Sequence, residues 1–230
     1  MNDRKDQFLD VWAMVLATIA ETIILIPSLC LTFIVDRRFN IDWVGTVLLF
    51  YGFFLIFTFL TLKFLRTFFP MKEGIHLYSD QQSTCYIWNL YGFLCVINLS
   101  PFYNEGGIIP PPLKKIFYRF MGGKFGKGII VIGGKITDPH LVTVESEATI
   151  GDGAIILPHI LSNFPSRAVI LGKIHIKRNA MIGVRTILLP GVTVGENSMV
   201  NSMSVVPMNT QIPDNEVWGG IPAKKIKSVV

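Results

Sequence analysis

Three histidines in the second half of the chain, His140, His159 and His175, are the side chains there best suited to moving a proton. An unperturbed imidazole titrates near ~6.5, so at neutral pH it can take a proton from a hydroxyl or amine and return it. The three settings differ. His175 lies between Ile174 and Ile176; on an extended segment whose aliphatic neighbours face a core, it points outward. His140, in "TDPHLVTV", precedes a regular stretch and is expected to be structural. His159 closes "ILPH", where that regularity breaks, and a residue at such a break can serve chemistry where its neighbours serve packing. Of the three, His159 is therefore the one whose place leaves room for chemistry.

The regularity has an unusual period. Ile170, Ile176, Ile182, Leu188, Val194, Val200 and Val206 stand six residues apart, and four residues after most of them comes a small one: Ala180, Thr186, Val192, Ser198 and Ser204. Val144, Ile150 and Ile156, with Ala148 and Ala154, extend the pattern backwards. Neither a helix nor a flat strand repeats every six residues. A chain that turns a corner every six residues does. Three short strands then close one coil of a triangular prism, and coils stack in parallel about 4.8 Å apart. The aliphatic residue fills the interior, and the residue beside it must be small. Gly151, Gly183 and Gly195 follow aliphatic positions where the chain bends. A single coil has no core of its own and is stable only when stacked. Between Ile156 and Ile170 the count fails, and a loop around "LSNFPSRAV" is expected to leave the prism just after His159.

This hexapeptide pattern resembles the left-handed parallel β-helix of the hexapeptide-repeat acyltransferase family, over roughly residues 120–227. "FYRFMGGKFGKGIIV" resembles the lead-in to the first coil, and "VWGGIPAKKIK" resembles the closing motif that packs back along the helix near coenzyme A. The resemblance implies a homotrimer with sites between adjacent prisms. It implies acetyl-CoA or another acyl-CoA as co-substrate and a catalytic histidine near the excursion, a placement that His159 matches. Coenzyme A contacts then fall to Gly183, Ser202, Trp218, Gly220, Ala223 and Lys224, with Lys225 and Lys227 near its phosphates. Asn163 and Arg167, in the loop, are candidates to hold the acceptor. The chain departs from the family pattern at Asn201 and Met203, and at Pro207 and Met208. Carbonic anhydrases share this solenoid, but spacings of 19 and 16 residues between the three histidines do not resemble their close histidine pair, so no metal is expected. The three cysteines, Cys30, Cys85 and Cys95, all precede the repeats, so a covalent thioester on the repeat domain is not expected and direct transfer is.

The first half is of a different kind. Half of the 230 residues are hydrophobic and mean hydropathy is +0.49, too apolar for an ordinary soluble domain. Val11–Val35 carries one charge, Glu21, and Trp43–Leu62 none. At ~1.5 Å rise per residue, each is long enough to cross a ~30 Å hydrocarbon core as a helix. The expected plan is a helical hairpin in residues 1–72, with spans at about 11–35 and 43–62. An interfacial or re-entrant segment and linker follow over 73–112, then an amphipathic helix over 113–121 and the β-helix with its tail over 122–230. Glu21 in a span needs a partner, and a helix of a neighbouring subunit is the expected one. The apolar stretch Cys85–Leu99 is short, and whether it spans is open. Lys/Arg placement (Arg4 and Lys5 before the first span, Lys63, Arg66 and Lys72 after the second) puts both termini in the cytoplasm, in a cell inner membrane.

Charge separates the halves as well: residues 1–110 hold seven Lys/Arg against nine Asp/Glu, and residues 111–230 hold fourteen against seven. A basic domain beside a membrane suits anionic headgroups or a phosphate-rich ligand. Nucleic acid is not expected, because the cations form no stripe interleaved with exposed aromatics. The expected activity is transfer of an acetyl group to a hydroxyl or amine of a lipid-linked or membrane-proximal sugar. Two alternatives stand beside it. The string "DPHLVTVESEATIGDGAIILPH" also resembles β-helical modules of larger membrane proteins that join amino acids through carrier-bound thioesters. The other alternative is a trimeric membrane scaffold without catalysis.

Overall fold

The computed structural model describes residues 2–80, 83–99, 110–131 and 133–229; residues 100–109 of the 73–112 segment lie outside the described residues. Two compact units emerge, and not in chain order. Met1–Met71 goes with Gln81–Ser100, and Lys72–Asp80 goes with Pro101–Val230.

The first unit is helical: α1 (Asn2–Phe39), α2 (Trp43–Phe68) and α3 (Ser83–Leu94), the last running into a wider π-type turn at Cys95–Leu99. Val11–Phe39 and Trp43–Phe68 each have a mean hydropathy of 2.1 and are long and apolar enough to cross a membrane. Both outrun the spans expected from the sequence. Met14, Ile23, Phe33 and Leu48 lie exposed along them. Asp42 opens α2 by accepting the Gly45 N–H at 2.7 Å, and Thr46 donates its hydroxyl to Asp36 at 3.0 Å, fixing the turn between the helices. Glu21 meets Asn98 of the same chain, and the Asn98 amide also donates to Thr58 at 3.2 Å. The carboxyl thus finds a partner without a neighbouring subunit.

The second unit is a parallel β-helix of triangular section. The first face stacks β2 (Lys124–Phe125), β5 (Val142–Val144), β10 (Ile174–Ile176), β13 (Thr193–Val194) and β16 (Gln211–Ile212). The second stacks β3 (Ile130–Val131), β6 (Thr149–Ile150), β11 (Met181–Ile182), β14 (Met199–Val200) and β17 (Glu216–Gly220). The third stacks β4 (Lys135–Ile136), β7 (Ile155–Ile156), β12 (Ile187–Leu188) and β15 (Val205–Val206). Ile176 pairs with Val194, Ile182 with Val200 and Leu188 with Val206, so one coil here is 18 residues, three hexads.

Side chains explain this geometry. Ile150, Ile156, Ile176, Leu188, Val194, Val200 and Val206 are completely buried, and Ala148, Ala154, Ala180, Thr186, Ser198 and Ser204 fill the space beside them. Each buried aliphatic side chain is worth about 1.5–3 kcal/mol, which two-residue strands could not supply from backbone hydrogen bonds alone. At Gly183 an added Cβ would lie 2.3 Å from the Ser202 nitrogen of the next coil, so the stacking itself requires glycine there. One corner is built differently. Asn179, Asn197 and Asn215 all take left-handed backbone (φ 53, 54 and 60) and pass amide hydrogen bonds from coil to coil, at 2.9 and 3.3 Å.

A large interruption breaks the regular stack in its middle. Ile174 pairs with Val142, an offset of 32 residues, fourteen more than one coil. Those extra residues form a β-hairpin where the sequence suggested a loop: β8 (His159–Ser162) and β9 (Ala168–Leu171) run antiparallel. A third strand, β1 (Gly74–Leu77), adds antiparallel to β9, with only five residues between it and the end of α2. Glu73 anchors it by accepting the backbone N–H and ammonium of Lys173, at 3.0 and 2.7 Å. The neighbouring cation and its two hydrogen bonds hold the Glu73 carboxyl below its ordinary pKa. Ile170 therefore does not belong to the prism core. It pairs with Ile75 and Ile160 in the hairpin sheet, and its six-residue spacing from Ile176 is coincidental.

Helix α4 (Pro111–Phe120) closes the first coil, packing on β2 and β3. At the other end β18 (Ala223–Ser228) folds back antiparallel on β17, turning at Gly220 with φ 101. The tail thus forms a hairpin on the last coil; it does not run back along the earlier ones.

Candidate active site

The hairpin leaves the prism at Pro158, and His159 is its first residue. Asp138 lies beneath it, on the neighbouring coil. Ile136 pairs with Ile156, an offset of 20 residues, so Asp138 stacks under Pro158 and beside the histidine. Its backbone is left-handed (φ 43, ψ 59), which turns the carboxylate upward, and the short helical turn Pro139–Leu141 carries the chain on to β5.

The His159 Nδ1–H donates to Asp138 Oδ2 in a close contact. The carboxylate side chain is 5% exposed and the imidazole 22%. An acceptor on Nδ1 fixes the tautomer, makes Nε2 the basic nitrogen, and stabilises the imidazolium once a proton arrives. This pair can hold a base in place and charge it. Sequence reasoning missed Asp138. The signal was there: the coil through "TDPH" is two residues longer than the regular one, which marks a second irregularity one coil from the first.

The other histidines have other surroundings. His175 points outward between the buried Ile174 and Ile176, as its neighbours require, and its Nε2 lies 2.6 Å from Glu145 Oε1. His140 sits in the Pro139–Leu141 turn, two residues beyond Asp138, in a supporting place. His76, on β1, is buried and donates Nε2–H to the Lys72 carbonyl at 2.8 Å, reading the ring as that tautomer. Among the described residues no group of three His, Cys, Asp or Glu side chains could hold a metal ion.

The two residues nominated for the acceptor occupy the hairpin. Asn163 is exposed at the turn, and the Arg167 guanidinium lies 4.8 Å from the centre of the Tyr78 ring, while its carbonyl accepts the Tyr78 N–H at 3.1 Å. The coenzyme candidates gather elsewhere. Because Ile182, Val200 and Trp218 stack in register, Gly183, Ser202 and Gly220 line the corner between the second and third faces. Ala223 and Lys224 join them from β18, opposite Gly220 and Gly219. Ala223 is buried and Lys224 exposed. The Ser202 hydroxyl already accepts the Val184 N–H at 3.2 Å. The Trp218 indole donates to Glu216 at 2.7 Å, and Lys225 pairs with the same carboxylate. Those two donors, Lys225 foremost, depress the Glu216 pKa. Within one chain, then, His159 and the glycine-lined corner stand at opposite ends of the third face.

Comparison with known proteins places this arrangement in context. No protein-family model matches the chain. It is 27% identical over 131 residues to the delta-poly-L-ornithine synthetase of Acinetobacter baumannii (strain AB307-0294), covering 57% of this chain and 9% of that protein. It is 43% identical over 54 residues to the mitochondrial gamma carbonic anhydrase 2 of Arabidopsis thaliana, covering 24% and 19%. It is 32% identical over 133 residues to the galactoside O-acetyltransferase of Lactococcus lactis subsp. lactis (strain IL1403), covering 52% and 58%. The chain is similar in sequence to galactoside O-acetyltransferases. The chain spans less than two thirds of the length of each of these three relatives. In this prism of six-residue repeats, the Asp138–His159 pair lies at the interruption of the repeat, and the glycine-lined corner lies on the regular part.

Proposed function

We propose that the chain is a membrane-anchored acyltransferase that moves an acyl group, acetyl from acetyl-CoA, onto a hydroxyl or amine of a lipid-linked or membrane-proximal sugar. The observation that carries this reading is the Asp138–His159 pair at the head of the excursion. His159 Nε2 takes the acceptor's proton as its oxygen or nitrogen attacks the thioester carbonyl. A tetrahedral oxyanion forms, to be met by backbone N–H groups at a coil corner. Its collapse breaks the C–S bond, and the imidazolium returns the proton to the departing thiolate. Asp138 positions the ring and steadies its charge throughout.

Separation of His159 from the Gly183–Lys224 corner supports a homotrimer, in which the histidine of one prism faces the glycine-lined corner of the next. Lys224 would then neutralise coenzyme A phosphate as a mobile point charge. The apolar helices support an integral membrane protein, with the β-helix in the cytoplasm, where acyl-CoA is made. A cysteine placed between Arg37 and Asn40 should react with an impermeant thiol reagent on intact cells, and one in the tail should not.

Similarity to the ornithine-polymer synthetase favours a second reading, in which the donor is an acyl or aminoacyl thioester on a carrier protein. One experiment separates the two. Purified protein is mixed with membranes of its source cells and either [¹⁴C]acetyl-CoA or loaded carrier. Label entering extractable membrane material from acetyl-CoA supports the first reading, and label entering only from the carrier supports the second. No transfer from either donor would leave the scaffold reading.

A further inference from the structure

Helix α4 shows two apolar sides at once. Phe117, Tyr118 and Met121 are buried, and even Lys114 is only 5% exposed. The Tyr118 ring stacks on Phe125 at 5.8 Å, and the Arg119 guanidinium donates to the Phe125 and Gly126 carbonyls. This side holds the helix on the first coil. Leu113, Ile116 and Phe120, at i, i+3 and i+7, form a stripe on the other side and are 51%, 43% and 58% exposed. A capping helix needs only the first side.

The charge around the stripe has one sign. From Pro110 to Thr137 the chain carries Lys114, Lys115, Arg119, Lys124, Lys127 and Lys135 and no carboxylate. Lys124 and Lys127, just beyond the helix, are exposed. An apolar stripe bordered by cations is the pattern of a helix that lies in the headgroup layer of an anionic bilayer. We propose that Leu113, Ile116 and Phe120 dock this end of the prism on an anionic phospholipid surface, with Lys115, Lys124 and Lys127 meeting the headgroup phosphates. The inference rests on the membrane anchoring proposed above, which brings such a surface within reach of the same chain. It adds a second attachment, one that would fix the prism's orientation to the bilayer and so keep the excursion near acceptors held there.

The test uses full-length protein in lipid nanodiscs. With Cys30 replaced by Ser, a cysteine at Ile116 carries an environment-sensitive fluorophore, and a cysteine at Lys177, a half-exposed prism residue, carries the control. Acyl chains brominated near the headgroup quench a fluorophore that touches them. The expected result is quenching at Ile116 severalfold above that at Lys177 in nanodiscs with anionic lipid, weaker in zwitterionic lipid or at high salt. Equal quenching at the two sites overturns the proposal. A fluorophore at Ile116 shielded from both water and lipid indicates a second copy of the chain and also overturns it. Extraction of the unlabelled chain by alkaline carbonate is measured separately. Extraction with preserved Ile116 quenching defeats the anchoring and keeps the docking surface; resistance without quenching does the reverse.

Discussion

Asp138 accepts the Nδ1–H of His159 from the neighbouring coil, across two irregularities that face each other. A left-handed residue aims the carboxylate, and the start of a hairpin aims the imidazole. Neither feature serves the stacking of the prism. Both bear on one proton.

Asp138→Asn separates charge from geometry. Asparagine tolerates left-handed backbone and can still accept a hydrogen bond, but it does not balance the imidazolium. Transfer should fall by at least about tenfold of the roughly 10²–10⁴ that a general base supplies. The loss should appear in kcat, with KM for the donor and the thermal midpoint unchanged. A purely structural Asp138 would show the opposite: a lower midpoint and unchanged kcat.

The asparagine corner makes a stability prediction. Asn197→Ala removes two inter-coil amide hydrogen bonds and places Cβ-bearing alanine in left-handed backbone, at a cost of about 1–2 kcal/mol. Asn197→Gly loses the bonds without the strain and should sit between alanine and the parent in thermal midpoint. Equal midpoints for Ala and Gly would mean that backbone conformation contributes nothing at this corner.

Much of this architecture was legible in the sequence because the prism repeats. Ile176, Ile182, Leu188, Val194, Val200 and Val206 are buried where the six-residue count puts them, and Ala180, Thr186, Val192, Ser198 and Ser204 are buried at the fourth place after them. The count misled at Ile170, since a hairpin strand also alternates and happened to fall in phase. Strand β1 was hidden for a different reason: Gly74 pairs with Leu171, nearly a hundred residues away, and nothing local marks such a partner. Asp138 was hidden in a coil two residues longer than the regular 18. The candidate base was thus proposed at His159, where the repeat visibly fails, and its hydrogen-bond partner Asp138 was not foreseen.

Tyr118 predicts an alkaline weakness. Burial pushes its pKa from 10.0 to about 12. Its hydroxyl donates to the Gly134 carbonyl and accepts the Ile136 N–H, both at 3.3 Å. The folded protein keeps this proton after the unfolded chain has lost it. Stability is therefore complete below pH 10 and falls as pH rises from 10 toward 12, by up to about 2–3 kcal/mol at ~1.4 kcal/mol per pH unit. Tyr118→Phe should start about 1 kcal/mol less stable at neutral pH. Between pH 10 and 12 it should lose less than the parent, as read from thermal midpoints in detergent. Parallel pH profiles would contradict the assignment.

His159→Asn is the direct test of the central claim that His159 is the base. The asparagine amide can still donate to Asp138, so the buried carboxylate keeps a partner, but the new side chain cannot accept a proton. Transfer of label from [¹⁴C]acetyl-CoA to membrane material is measured beside His175→Ala, whose ring is outward and paired with Glu145. The account predicts that His159→Asn keeps its assembly and coenzyme A binding while transfer drops roughly 10²–10⁴-fold, and that His175→Ala stays within a few-fold of the parent. Transfer by His159→Asn within a few-fold of the parent would contradict it.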